Sequence, residues 1–556
     1  MRLPDPGDER SILQFCSDAA KDIERMNAQI CRLQSSLDSI TQKRDSLQRH
    51  VSALRRSIAP PIPTEILQHI FRSCVELFPV ISSSGCKEAP ALLTRVCSRW
   101  RSIALDTPDL WSAMHVVVPG HNTFRFPSRC RAIRNVVATF IERSRDLPLY
   151  VSVYSWAFYK HMFETDVIAE DEDDFTALLD LLQQLVGHSK RWKYVKLLVP
   201  FWCFSQATSH LTSDDVPELE TAILAGRGIN FLSDAPRLQQ LALQYHSNFL
   251  SPLPLEGEMW GRLQTLKLNV CFGTGTLGLF SVLQACTNLR ECMLDLGFLH
   301  MPMIGLPPNQ GNLVLSHLRE LHLIDARKNE ILSEVLRWLS TPALEHLCLF
   351  NTQISHFRMN KDTLLCLDAF LDRSKCSLIK LLFLMTQTPE LTSNDVLEFL
   401  RGIHDTLQTL IIESRADEDT YFMNDDILRA LSVVSPPQDV LCPNLRRMIF
   451  SDGGSISEQT LREFISARVV GRDADATSET ESQSSVEPLD HLLVYTRQTG
   501  FAASINADYP DLVSDRIEVV EEVDLGQTQD TTDAPTYFKA YKESYGPSSR
   551  DVEVID

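Results

Sequence analysis

The apolar residues follow three different rhythms along the chain. From Asp8 to Ala59 there are 52 residues without proline or glycine. Within them, alternating steps of four and three visit Ile12, Cys16, Ala19, Ile23, Met26, Ile30, Leu33, Leu37, Ile40, Arg44, Leu47, Val51 and Leu54, all apolar except Arg44. A helix resting on a globular core repeats about every 3.6 residues, whereas a strict repeat of about 3.5 keeps one narrow seam turned toward a partner helix. The flanks are mixed polar, with Lys21, Glu24, Arg25, Arg32, Asp38, Lys43 and Asp45. The pattern predicts a single coiled-coil helix over residues 8–59. Pro60, Pro61 and Pro63 end it, because proline lacks the N–H that the next turn needs. Three partners fit the seam: a second copy of the chain (residues 12–54), a different protein, or the chain's own body.

The second rhythm is short and helical. Ile66, Leu67, Ile70, Phe71, Cys74, Val75 and Phe78 form an apolar stripe behind Pro63, Thr64 and Glu65, which suit a first helical turn. A second helix is predicted over Leu92, Leu93, Val96, Cys97, Trp100, Ile103 and Ala104, with Cys97 on its apolar side as a small hydrophobe. Asp106-Thr107-Pro108 breaks it, and Leu110-Trp111 restarts an apolar anchor. Some fifty residues in short helices cannot bury both stripes internally. Part of that surface therefore has to meet a partner.

The third rhythm recurs through the body as L-x-x-L-x-L or a close variant. It reads WKYVKL (192–197), LETAIL (219–224), LQQLAL (238–243), LQTLKL (263–268) and LRECML (289–294). It continues as LRELHL (318–323), LEHLCL (344–349), LIKLLF (378–383), LQTLII (407–412) and LRRMIF (445–450). Helical stretches such as Leu277–Cys286, Glu330–Ser340 and Ser393–Ile403 lie between them. A short strand then a helix, repeated, is the pattern of a leucine-rich-repeat solenoid whose units bury their open faces by stacking. The uneven spacing predicts an irregular horseshoe. An ordinary α/β domain with a parallel sheet is the plainer alternative. In the solenoid, the residue between the last two leucines faces the concave side. That row is Ile223, Ala242, Lys267, Met293, His322, Cys348, Leu382, Ile411 and Ile449, and Lys267, Met293, His322, Cys348, Leu382 and Ile411 are its candidate client contacts. Its apolar end needs a cover, which a client or the chain's own C-terminal segment would supply.

Charge sharpens the boundaries. The chain of 556 residues carries a net −20, which disfavours gripping nucleic-acid phosphates or anionic lipid. From Gly471 to Asp556 there are 19 Asp/Glu against 6 Lys/Arg, so −13 of the −20 belongs to the tail. The polar, acidic stretch 471–490 reads as a disordered linker, residues 491–525 as two capping strands, and 526–556 as frayed. Residues 60–116 hold the short helices, 188–470 the repeats, and 117–187 a bridging region that fits neither pattern. Its EDEDD run (170–174) reads as a solvated loop. The start MRLPDPGDERS lacks a secretory apolar region, no apolar run is long enough to span a membrane, and the fourteen cysteines are scattered singly. Free thiols and a cytoplasmic or nuclear location are expected. Phosphate-loop, zincin and nucleophile-elbow motifs are absent. Neither catalysis, a cofactor nor a metal is expected.

The order Pro63-x-Glu65-Ile66-Leu67-x-x-Ile70-Phe71, Val96-Cys97-x-x-Trp100-Arg101-x-x-Ala104, Leu110-Trp111 resembles an F-box. Ile62 stands where the family usually has leucine, and Pro79–Pro90 lengthens a link that is usually a short polar turn. The resemblance implies docking to a Skp-type adaptor and, through it, to a cullin ubiquitin ligase. Pro63, Ile66, Leu67, Ile70, Phe71, Val96 and Trp100 would be adaptor contacts or their support, with Trp100 and Trp111 also readable as core. A coiled coil directly before an F-box resembles the layout of F-box proteins in mushroom-forming fungi. The implied function is recruitment of a protein client to the ligase. A non-catalytic scaffold acting outside any ligase is the alternative.

Overall fold

The computed structural model describes residues 9–58, 62–120, 125–155, 172–225, 228–244, 257–269, 275–296, 312–324, 329–350, 358–384, 386–387, 391–413, 423–432, 440–452, 455–470, 488–496, 498, 500–509 and 516–521. The acidic linker expected at 471–490 falls outside them up to residue 487, and the tail 526–556 falls outside them entirely. The chain divides into two compact units, residues 1–70 and 71–556. Among the described residues no helix is long and apolar enough to cross a membrane.

The first unit is dominated by helix α1, Glu9–Ile58, which matches the unbroken run in the sequence. Its seam is open: Ile23, Ile30, Leu33, Leu37, Ile40 and Leu47 are 51 to 66% exposed. Helix α2, Thr64–Cys74, follows and crosses the division between the units.

The second unit is built on one open sixteen-stranded sheet. All of its pairings are parallel except the hairpin at one end, where Ile81 opposes Cys86. That hairpin lies inside Pro79–Pro90, so the lengthened link supplies the sheet's first edge. Residues 113–118 form a strand of the same sheet, so the sheet begins before the expected end of the F-box at 116. The region 117–187 is no separate bridge. Its strand Leu149–Ser155 pairs with 113–118 on one side and Trp192–Leu198 on the other. It escaped the repeat pattern because LYVSVYS uses valine and tyrosine where later strands use leucine. Part of the expected loop, from Glu172, instead lies in the helix Glu172–Val186.

Each later strand follows from its alternation. In Thr265–Asn269, Leu266 and Leu268 are buried on one face, while Thr265 and Lys267 take the other and are half-buried. The leucine that opens each unit, such as Leu263, is buried in the turn before the strand. One carbonyl then accepts from two successive N–H groups of the next unit. Gln239 O takes Gln264 N at 2.8 Å and Thr265 N at 3.1 Å; Gln264 O takes Arg290 and Glu291; Arg290 O takes Arg319 and Glu320, and so on to Arg446 O with Asp490 and His491. The residue before the opening leucine adds a side-chain tie, as in Asn288 Nδ2 to Gly261 O and Asn444 Nδ2 to Asp405 O, both 2.6 Å. The strands expected in 491–525 are His491–Thr496 and Ile517–Glu521, and they extend the same parallel sheet.

The helices are stitched at their N-termini. Asn360, Thr392, Asn424 and Ser457 each cap a helix by accepting backbone N–H groups. Neighbouring caps are joined by Lys361 to Asp395 at 2.7 Å, Asn424 to Ser393 at 2.7 Å and Ser457 N to Asp425 at 2.7 Å. At the opposite end, Arg468 is buried at 2% exposure and donates to the carbonyls of Leu431, Cys442 and Leu445 at 3.1 to 3.3 Å. Burial lowers its pKa to about 10, yet it stays charged at neutral pH. Arg468→Met removes the donors from three buried carbonyls and is expected to cost on the order of 3 kcal/mol, read as a lower denaturant midpoint by circular dichroism. An unchanged midpoint would show that those carbonyls find other donors.

Candidate functional site

The short helices divide their apolar residues into support and surface. On α2, Leu67 and Phe71 are buried at 2% and 0%, whereas Ile66 and Ile70 are 51% and 38% exposed and Pro63 is exposed. Leu67 and Phe71 are thus the buried residues of α2, and Ile66 and Ile70 its exposed apolar ones. The stripe ends at Cys74; Phe78 instead stacks on Tyr194 with centroids 5.0 Å apart.

The second predicted helix is split. Leu93–Arg95 makes one tight turn, and helix α3 runs Ser98–Leu105. Cys97 between them is extended (φ −159°, ψ 169°), exposed, and its sulfur accepts from Trp100 N at 3.4 Å. It is therefore the cap of α3 rather than a small hydrophobe on an apolar side. Apolar spacing could not show this, because Val96 and Cys97 fit an uninterrupted helix equally well. Val96 is 56% exposed. Trp100 is half-buried with its ring 5.0 Å from Phe71. Trp111 is core: fully buried, its indole N–H donates to Ala104 O at 2.8 Å, Phe140 meets it edge-on, and the Arg143 guanidinium lies 4.3 Å over the ring. Arg72 pairs with Asp109 and ties the end of α2 to the turn before Trp111.

On the sheet, the expected client row has a different character. The register places Ile223, Ala242, Lys267, Met293, His322, Cys348, Leu382, Ile411 and Ile449 directly beside one another. Met293, Cys348, Leu382 and Ile411 are nonetheless buried, at 1 to 7% exposure, and offer a client no surface. Adjacent strands lie about 4.8 Å apart, so an apolar side chain flanked by two others is closed from both sides. Cys348, Leu382, Ile411 and Ile449 form one cluster, extended by Leu493 and Tyr495 of the C-terminal strand. Ala242, Met293 and Ile324 form another. Of the six candidates only Lys267 and His322 keep accessible side chains, at 24% and 12%.

A neighbouring row remains accessible, two residues earlier in each strand. It runs through Thr265, Glu291, Glu320, His346, Lys380, Thr409, Arg447 and His491, polar throughout and exposed or half-buried. Each is the second x of its L-x-x-L unit, so the signal lies in the repeats themselves, two positions before the row expected to meet a client. Lys267 Nζ lies 2.9 Å from Glu291, which also accepts from Thr265 at 3.3 Å. Glu320 stands between His322 at 3.8 Å and His346 at 3.0 Å. His322 first, and His346 with it, hold the Glu320 carboxyl down to about 2 against the opposing effect of burial. Burial lowers the Lys380 ammonium. The row thus passes from acidic (Glu291, Glu320) to basic (Lys380, Arg447).

Glu291, Glu320 and His322 bring one ligand atom each to within 4.8 Å of one another, the one such grouping among the described residues. Lys267 already stands against Glu291, so the donor set is matched to a cationic group as much as to a metal ion. The buried thiols of Cys130, Cys286 and Cys442 are pushed up to about 12 by burial, which keeps them from acting as nucleophiles at neutral pH.

No family model matches this chain, and no curated protein matches it. Its function has to be read from its own residues.

Because the fold favours ionised Glu320, its stabilising effect is complete above about pH 4.5 and is lost as the pH falls toward 2. Glu320→Gln is expected to be less stable than the parent at pH 6, with the gap closing across that acid range in denaturant titrations. A gap independent of pH would mean that the ionised carboxylate contributes nothing.

Proposed function

We propose that the chain is the client-recruiting subunit of a Skp–cullin–F-box ubiquitin ligase. Residues 60–116 would dock the adaptor, and the body would be a leucine-rich-repeat solenoid presenting a client. The observation that carries this reading is the pairing of motif and exposure. The F-box-like order of Pro63, Ile66, Leu67, Ile70, Phe71, Val96 and Trp100 coincides with a split in which Leu67 and Phe71 are buried while Pro63, Ile66, Ile70 and Val96 stay exposed. Exposed isoleucine and valine on short helices are costly unless a partner covers them.

The work of such a subunit is proximity. A client held beside a ubiquitin-carrying enzyme experiences a raised effective concentration of the reacting group, with no catalytic residue needed on this chain. The polar row from Glu291 to Arg447 is the surface assigned to the client, with Lys267 and His322 beside it. Its acidic-to-basic gradient suits a segment of opposite polarity. The seam of α1 would pair two chains, and the protein would act in the cytoplasm, the nucleus or both.

Ile66→Asp combined with Ile70→Asp is expected to abolish recovery of the Skp-type adaptor by the purified full chain, with an unchanged circular dichroism spectrum because both sites are exposed. Substitutions at Leu67 or Phe71 would confuse lost docking with lost folding. Full adaptor recovery by the well-folded double variant would overturn the F-box assignment.

A further inference from the structure

The seam of α1 is apolar enough to need a partner, and the charges along the helix state which partner and in which direction. Written as heptads, Cys16, Ile23, Ile30, Leu37, Arg44 and Val51 take one core position, while Ile12, Ala19, Met26, Leu33, Ile40 and Leu47 take the other. Charge is unevenly spread. Glu9, Asp18, Asp22 and Glu24 stand with Arg10, Lys21 and Arg25 in the first part of the helix, a net of −1. Lys43, Arg44, Arg49, Arg55 and Arg56 face only Asp45 in the last part, a net of +4.

We propose that α1 pairs with a second copy of itself as an antiparallel coiled coil. A parallel pair would set the basic ends side by side, align both helix dipoles, and place the two Arg44 guanidinium groups in one apolar layer. Like charges removed from water together are strongly unfavourable. The antiparallel pair removes all three conflicts. Arg44 then meets Ala19 of the second copy, the smallest side chain on the seam, which leaves room for the long arginine stem. The remaining layers stay apolar: Ile23 on Ile40, Ile30 on Leu33, Leu37 on Met26, and Cys16 on Leu47. On the flank, Asp22 of one copy comes beside Lys43 of the other, close to the incoming Arg44. One polar residue on an apolar seam is a recognised means of fixing register; Arg44 pairs with Asp45 of its own helix at 2.6 Å, and only the antiparallel direction also gives it space opposite Ala19 and keeps it away from a second Arg44.

The pairing itself belongs to the functional reading above; the direction is new. At about 1.5 Å per residue, the two copies of Val51 would stand roughly 60 Å apart. The segments that follow α1 would therefore leave from opposite ends of the pair.

The test uses the full chain. Light scattering on the parent is expected to give the mass of two chains. Leu47→Cys, mildly oxidised and digested, is expected to yield a disulfide joining the native Cys16 peptide to the introduced thiol. A Cys16-to-Cys16 link in the parent would overturn the antiparallel direction while leaving the pairing intact. A single-chain mass would overturn both. Independently, Asp22→Lys should weaken dimerisation about fivefold, and adding Lys43→Asp should restore it. Failure of the second change to restore the dimer would also overturn the proposed direction.

Discussion

A single backbone carbonyl in each unit of the body accepts two successive N–H groups from the next, and this shared acceptor recurs from Glu220 to His491. It fixes where each strand starts relative to the one before it. The parallel register then carries that alignment along every strand, so the second x of one unit always lies beside the second x of the next. Without it the leucines would still be buried, but the other face would be a scatter of side chains. With it, that face becomes ordered columns, and a column has a chemistry of its own.

Two columns on the same face behave oppositely for this reason. The later one collects Met293, Cys348, Leu382, Ile411 and Ile449, which close upon one another and add to the core. The earlier one collects Glu291, Glu320, His346, Lys380 and Arg447, whose polar ends stay accessible. Stacking makes an apolar column self-sealing and a charged column self-tuning. Glu320 is held ionised by the histidines beside it, and Lys267 pairs with Glu291 across one strand spacing. Variation in the length of the connecting segments leaves this intact, because the alignment is set at the strand entrances rather than through the loops.

Much of this was legible in the sequence. The absence of proline and glycine gave the bounds of α1 within a residue, and the L-x-x-L-x-L units located ten of the parallel strands. The row expected to meet a client was placed by direction, with a cover required for its apolar end; Leu493 and Tyr495 of the C-terminal strand extend that end, and the burial of the rest depends on what flanks each residue in units distant in sequence. The hairpin in Pro79–Pro90 and the strand at 149–155 were missed because neither carries the L-x-x-L-x-L spacing. Cys97 shows the limit of periodicity: helical spacing continues across it, and only its extended backbone reveals that one helix ends and another begins.

We propose that the exposed residues of α2 and the neighbouring turn serve to bring a client to a ligase. The most direct test is affinity capture of the intact chain from cells at physiological salt, with quantification of what accompanies it. A Skp-type adaptor and a cullin are expected to be recovered together in comparable amounts. Adaptor without cullin would point to a scaffold outside the ligase, and recovery of neither would contradict the account.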